Sequence, residues 1–240
     1  ATTSNFWNKS FVNCLAKEHK VYLVDYWGIN TGEGVTGNSS IEGMADDMYT
    51  LSKALKAEHP VFAGWSMGGA VAAQIGFDHY SDGVNKVVLI APLTMNNQPP
   101  PLSDADADEI VEPLRTYNDV LNYVFDNNLY GYTRKQLNFY KYGLFDYKNK
   151  LFPDRKISAS QNNAMNIWAS DPNTKENAKY SNAKYLFLIP LQDKMLVTSK
   201  TLSDAKLFPN KVIVNFDGSG HNISMQAPEQ TCQQITRFID

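Results

Sequence analysis

Cysteine is nearly absent: Cys14 and Cys232 are the only two among 240 residues. That excludes a disulfide framework or a multi-cysteine zinc site. Two thiols so far apart are expected to stay unpaired, and a cytoplasmic location is favoured over a secreted one. The sequons at Asn8, Asn38 and Asn222 leave the compartment open, because the pattern is frequent by chance in a chain rich in asparagine. Long apolar runs are missing too. The longest, around Val87–Leu93 and Tyr185–Leu191, are strand-sized and fall short of the roughly 18 residues that cross a bilayer, so no membrane span is expected. Charge of one sign is nowhere concentrated. The formal net charge is -3, and without a basic run to neutralise a row of phosphates, nucleic acid is not an expected partner.

What is present is an ordinary globular mixture, 43% hydrophobic and 20% charged, which predicts a sizeable buried core. Five short runs rich in β-branched and aromatic residues read as strands: Val21–Trp27, Val61–Trp65, Lys86–Ala91, Tyr185–Ile189 and Lys211–Phe216. They are almost continuously apolar, as strands covered on both faces must be. Helical patterns lie between them, at Ser39–Glu58, Met67–His79 and Thr198–Leu207, and a last one at Pro228–Ile239. Alternation of this kind predicts an α/β fold with a mostly parallel sheet and helices on both faces. It is interrupted once, over residues 93–182, where helical patterns occur without a strand; we read this segment as a cap inserted into a core formed by residues 1–92 and 183–240. The stiff run Gln98–Pro101 marks its entrance, and Ser103 with Asp106 resembles a helix start. Its body is crowded with aromatics from Tyr117 to Phe152. Most would build the cap's own small core, while a few facing the sheet would line an apolar pocket. Tyr117, Trp168 and Trp65 are the candidates for that pocket.

Gly64–Trp65–Ser66–Met67–Gly68–Gly69 follows a strand pattern and precedes the helix-forming run Ala70–Gln74. In a strand, sharp turn and helix, the G-x-S-x-G spacing lifts the serine onto a strained turn, and small neighbours let the backbone pass close by. Ser66 is therefore the candidate nucleophile. The amide of Met67, at the start of the helix, is the natural donor to an oxyanion.

A serine hydroxyl needs a base, and there are four histidines to choose from. In a parallel α/β sheet the site lies beyond the carboxyl ends of the strands. His19, His59 and His79 each precede a strand and belong at the opposite edge; His221 alone follows one, through Asp217–Gly218–Ser219–Gly220. By the same argument Asp193, reached from the strand Tyr185–Ile189 through Pro190–Gln192, is the carboxylate placed to orient the imidazole. Asp217 is its rival, and its place four residues before His221 suits it better to shaping that loop. The pattern G-x-G-x-x-G also occurs, at Gly32–Gly37, but too far past its strand and without a following acid for a ribose, so it reads as a loop.

Ser66, Asp193 and His221, in that chain order and each after a strand, resemble the catalytic residues of the α/β-hydrolase family. Asp25–Tyr26–Trp27–Gly28 with Gly32 is similar to the family's turn after its fourth strand, and His221 with Pro228–Glu229 to its closing G-H-x-P-E pattern. Asp25 would then be a structural turn carboxylate. The resemblance runs the length of the chain and implies a cap between the family's sixth and seventh strands. It also implies a second oxyanion donor near Ala1 or Thr2, and no cofactor or metal. Cys14 and Cys232 would fall on two helices that share one face of the sheet, where a bridge is conceivable. Serine as nucleophile argues against haloalkane dehalogenase or epoxide hydrolase chemistry. A carboxylic ester with an apolar acyl or aryl part is the expected small-molecule substrate; thioesterase, amidase, carbon–carbon bond hydrolase and acyltransferase activities, or ligand binding without turnover, stay open. The family also has strands ahead of the run Val21–Trp27, one of them between that run and Val61–Trp65. Leaving a gap inside a buried sheet strands two rows of backbone donors and acceptors. A further segment, in a second chain or outside this sequence, is expected to fill it.

Overall fold

The alternating apolar runs form, in a computed structural model, a parallel sheet between two layers of helices. The structure describes residues 4–29, 39–96, 124–125 and 155–240. In chain order these give α1 (Lys9–Leu15), α2 (Ile41–Ala54), β1 (Phe62–Trp65), α3 (Met67–Asp78) and β2 (Lys86–Ile90). Then come α4 (Arg155–Ser170), α5 (Pro172–Tyr180), β3 (Lys184–Pro190), α6 (Thr198–Ala205), β4 (Lys211–Phe216), α7 (Ile223–Gln226) and α8 (Pro228–Ile239). Local chemistry sets the helix starts. The Asn8 side chain accepts from the amides of Ser10 and Phe11, Ser40 accepts from Gly43, and Asp171 from Asn173, each satisfying donors that a first turn leaves open. Pro172 and Pro228 sit in the first turns of α5 and α8, where a missing N–H costs nothing.

The strands pair in the order β1-β2-β3-β4, all parallel. Trp65 lies beside Ile90, Ile90 beside Leu188, and Leu188 beside Val214, so the carboxyl ends align and the loops leaving them share one rim. Side chains alternate between faces. Val87, Leu89, Tyr185, Phe187 and Ile189 pack with α2, α3 and parts of α4, α5 and α6, whereas Val88, Ile90, Leu186 and Leu188 pack with Phe11 of α1 and Cys232 and Ile235 of α8. Cover on both faces is why β2 and β3 read as unbroken apolar runs, and truncating any one of these side chains to alanine is expected to cost about 2–5 kcal/mol.

Four of the five predicted strands form within a residue of their expected ends; the fifth does not. Val21–Trp27 is not a strand: among the described residues it joins no ladder, and β1 pairs only with β2. A strand exists through its neighbours' hydrogen bonds, and among the described residues none pairs with this run. Tyr22, Leu23 and Val24 are consequently 39%, 49% and 37% exposed.

The cysteines are a second correction. Cys14 and Cys232 are disulfide-bonded, with Cα atoms 6.2 Å apart across a sequence separation of 218. Spacing along the chain pointed to free thiols, but α1 and α8 pack together on one face of the sheet and bring them into range. The bridge removes the ground for expecting a reducing compartment.

Within residues 93–182 the described parts include α4 and α5, whose Ala164, Met165, Trp168, Ala169 and Ala178 join the core that contains Val87 and Tyr185. Val124 and Phe125 are also buried. Gln98–Pro101, Tyr117, the aromatics from Tyr130 to Phe152 and the Gly32–Gly37 pattern lie outside the described residues. None of the described helices is long and apolar enough to cross a membrane.

Candidate active site

At the top of β1 the chain turns through Ser66, with φ 56° and ψ -120°, directly into α3. A non-glycine residue in that region costs on the order of 1–3 kcal/mol. It is held there from both sides: the Ser66 amide donates to Ile90 O at 3.0 Å, and the Leu93 amide donates to Ser66 O at 3.0 Å. The glycines around it have unequal tasks. A Cβ on Gly64 would lie 1.8 Å from Gly68 O, and one on Gly69 would lie 2.6 Å from Pro92 Cβ, whereas one on Gly68 would meet only Tyr26 Oη at 3.4 Å. The close approach is thus made by Gly64 and Gly69, where the motif spacing alone had pointed to Gly64 and Gly68. Burial pushes the Tyr26 phenol above its ordinary value, so the group facing Gly68 is neutral. Met67 opens α3, and its amide belongs to the first turn, whose N–H groups have no acceptor within the helix.

His221 follows β4 through a turn in which Gly218 has φ 68°. Its Nδ1 lies 2.8 Å from Asp193 Oδ2, with the two side chains only 3% and 4% exposed. The other oxygen of Asp193 accepts from the amides of Met195 and Leu196, at 2.8 and 2.9 Å. With the carboxylate accepting throughout, Nδ1 carries the proton, and in the neutral ring Nε2 keeps its lone pair. Asp217 makes no contact with the imidazole; it accepts from Gln192 Nε2 at 2.7 Å and from the Gly218 amide at 3.0 Å, tying together the loops after β3 and β4.

Three contacts behind His221 had no signal in the sequence. Trp65 Nε1 donates to His221 O at 2.8 Å across 156 positions, Gln226 Oε1 accepts from the Gly220 amide at 2.6 Å, and the Asn222 amide donates to Val124 O at 3.1 Å. The Asn222 side chain caps α7 through the Met225 amide, and both Asn222 and Asn8 are buried, which leaves neither sequon accessible in the folded chain. Only the fold reveals these contacts: two join elements far apart along the chain, and the third, across six residues, depends on how the loop after β4 turns into α7.

Ser66, Met67, Trp65 and His221 line one cavity of about 680 Å³, together with Val124 and Met195. Ser66 and His221 are not hydrogen-bonded to each other in it. Trp168 is elsewhere: it is 1% exposed, and its indole donates to Gln74 Oε1 at 2.8 Å within the core. Ala1, Thr2 and Tyr117 lie outside the described residues. His79 stacks on Tyr49 with ring centres 3.7 Å apart, away from this cavity, while His19 and His59 line its far part. Asp25 accepts from the Ser4 amide and hydroxyl, a turn-holding contact. Among the described residues no group of three or more His, Cys, Asp or Glu side chains is gathered as a metal site would require.

A family model described as alpha/beta hydrolase fold matches residues 1–228. No curated protein matches the chain. Among solved structures, the chain is similar to a thermophilic esterase from Thermogutta terrifontis, at 19% identity and a TM-score of 0.75, covering 99% of this chain and 85% of that one. It is also similar to an enol-lactonase from Burkholderia xenovorans LB400, at 19% identity and 0.77, covering 99% and 87%. A bromoperoxidase from Bacillus anthracis reaches 0.79 at 14% identity, covering 99% and 88%. At such identities the likeness extends to the fold.

Proposed function

Because the chain belongs to the α/β-hydrolase family, we propose that it is a serine hydrolase that cleaves a carboxylic ester through an acyl-enzyme formed on Ser66. The observation that carries this reading is the buried 2.8 Å contact between His221 Nδ1 and Asp193 Oδ2, on the same cavity as a serine in a strained strand-to-helix turn. In this mechanism Nε2 of His221 takes the Ser66 proton as Oγ attacks the ester carbonyl. The Met67 amide, aided by the start of α3, donates to the oxyanion, and a second donor from Ala1 or Thr2 would complete the hole. Collapse breaks the carbon–oxygen bond, and His221 returns the proton to the leaving alcohol. Water, deprotonated by His221, then releases the acid and restores the Ser66 hydroxyl. The Ser66–His221 bond that this requires forms as the substrate seats, as is common for catalytic contacts left long in an empty site.

In the same reading residues 1–92 and 183–240 are the catalytic core and residues 93–182 its lid, with Val124 gripping the Asn222 amide from above. The esterase and enol-lactonase among the structural neighbours support an acyl-oxygen bond as the target; the acyl group is set by the pocket walls, for which Trp65 and Tyr117 are candidates. A fluorophosphonate probe should label the wild-type chain and not Ser66→Ala, and a panel of esters of graded chain length should then show turnover with a length preference. Folded protein that takes no label and turns over no ester would instead mark a ligand-binding member of the family. Labelling with turnover only of thioesters, amides or an alcohol acceptor would keep Ser66 and change the substrate.

A further inference from the structure

The chain has seven methionines, and six of them are buried or half-buried. Met44, Met67, Met95, Met165 and Met225 are at most 8% exposed, and Met48 packs against the core. Met195 differs: it is 43% exposed. Exposure by itself would carry little, but the place of this thioether adds to it. Met195 sits two residues after Asp193 in the loop leaving β3, and its amide donates to Asp193 Oδ1 at 2.8 Å while Oδ2 of the same carboxylate lies 2.8 Å from His221 Nδ1. One carboxylate thus joins the backbone of Met195 to the imidazole. Beyond that fixed backbone, Met195 lines the cavity shared by Ser66, Trp65 and His221. An unbranched side chain with freely turning bonds, held at its root and open to solvent, makes a movable apolar wall on the cavity of the candidate nucleophile.

We propose that Met195 is an oxidation site that governs the seating of apolar substrate: hydrogen peroxide converts its thioether to the sulfoxide ahead of every other methionine, and the sulfoxide weakens the binding of apolar groups beside Ser66. In this step a sulfur lone pair attacks one peroxide oxygen. The O–O bond breaks as the S–O bond forms, sulfur is oxidised by two electrons, and the proton of the transferred hydroxyl passes to the departing oxygen, which leaves as water. Exposure selects the position, since the buried thioethers are reached only when the core opens. The product is polar where the wall was apolar, so an acyl or aryl group packing on it would strip water from the new oxygen without replacing the lost hydrogen bond. The proton relay stays in place, because it is the amide of Met195, not its sulfur, that bonds Asp193. Binding and chemistry therefore separate: KM for a long apolar ester rises, while kcat for a short one holds. That consequence rests on the proposed ester hydrolysis, whereas the order in which the methionines are oxidised does not.

The test is a time course with hydrogen peroxide, followed by peptide mass mapping and by steady-state kinetics on 4-nitrophenyl octanoate and 4-nitrophenyl acetate. Wild type is run beside Met195→Leu, which keeps an apolar side chain of similar volume and removes the sulfur, each protein being compared with its own untreated form. The expected result is that Met195 gains oxygen first and that KM for the octanoate ester then rises about tenfold, with kcat for the acetate ester unchanged. Methionine sulfoxide reductase should restore the original KM, and Met195→Leu should keep its untreated KM throughout. Three results would overturn the proposal: Met48 or a buried methionine oxidised before Met195, an unchanged KM once Met195 is fully oxidised, or the same shift in Met195→Leu. An untreated chain with neither fluorophosphonate label nor turnover would remove the ester reading instead. The inference about Met195 would then be decided by calorimetric titration with octanoate before and after peroxide, where weaker binding after oxidation supports it and absent or unchanged affinity overturns it.

Discussion

The two flanks of β1 are built to different standards. On one side β1 to β4 are hydrogen-bonded in unbroken register, and the loops above them interlock through Asp193, Gln192, Asp217 and Gln226. On the other side Val21–Val24, which joins no ladder among the described residues, lines the same cavity as β1. Ser66 stands on the boundary. Its backbone is clamped from the closed flank, by Ile90 and Leu93, and its carboxylate and imidazole partners also come from that flank. The groups proposed to activate Ser66 thus stand on the paired flank, while Tyr22, Leu23 and Val24 leave apolar surface exposed on the other.

The comparison breaks most sharply at Asp193. If the closed flank carries the chemistry, Asp193→Asn, which cannot hold the imidazole tautomer as an acceptor, should lower kcat for an ester by about 10⁴-fold while leaving the fold intact. Asp217→Asn should lower it little, since that side chain only joins two loops. Equal losses in steady-state assays would return Asp217 to candidacy. At the boundary, Gly64→Ala and Gly69→Ala should each cost more than about 3 kcal/mol in a urea denaturation series, because backbone or proline atoms occupy the space a methyl would need. Gly68→Ala, at 3.4 Å from a phenol oxygen, should fold with nearly wild-type stability. A Gly64→Ala protein as stable as Gly68→Ala would mean that the turn has slack on its open side.

The bridge between Cys14 and Cys232 ties α1 to α8 on one face of the sheet, where both helices also border the cavity beside β1. Reduction, or Cys14→Ser with Cys232→Ser, should cost about 2–5 kcal/mol by the loop-closure argument. The sharper expectation is spatial: exchange should quicken first in α1 and in Val21–Val24, while the amides of β2 and β3 hold. Loosening that began in β3 would show that the staple serves the closed flank instead.

How far each flank could be read from sequence follows the same division. β2 and β3 were legible because burial on both faces writes a continuous apolar run, and the half-exposed edge strand β4 from its β-branched residues; that the loops carrying Ser66, Asp193 and His221 share one rim follows from the parallel order of the strands. Val21–Trp27 carries the same composition and is not a strand, since composition reports the faces a segment could cover and is silent on whether an edge lies beside it. Cys14 and Cys232 misled for a related reason: distance along the chain says nothing of two helices that meet on one face. Trp168 could not be told from a pocket aromatic, because its assignment depends on one hydrogen bond to Gln74 across 94 positions.

Trp65 gives the smallest expected effect and the finest test of the boundary. Its indole faces both flanks: Nε1 donates to His221 O on the closed side, while the ring stacks on Phe6 at 5.3 Å and lies edge-on to Trp7 at 6.4 Å on the open side. Trp65→Phe keeps an aromatic ring beside Phe6, though a smaller one, and deletes the donor. A hydrogen bond of this kind is worth about 0.5–1.5 kcal/mol, so a loss of positioning should appear as a roughly 2- to 12-fold fall in kcat. KM and the urea midpoint should stay nearly unchanged, because neither substrate contact nor core volume is much altered. A rise in KM at constant kcat would make Trp65 a wall of the substrate pocket instead, and a fall in the midpoint without either change would assign the indole to packing of the open flank.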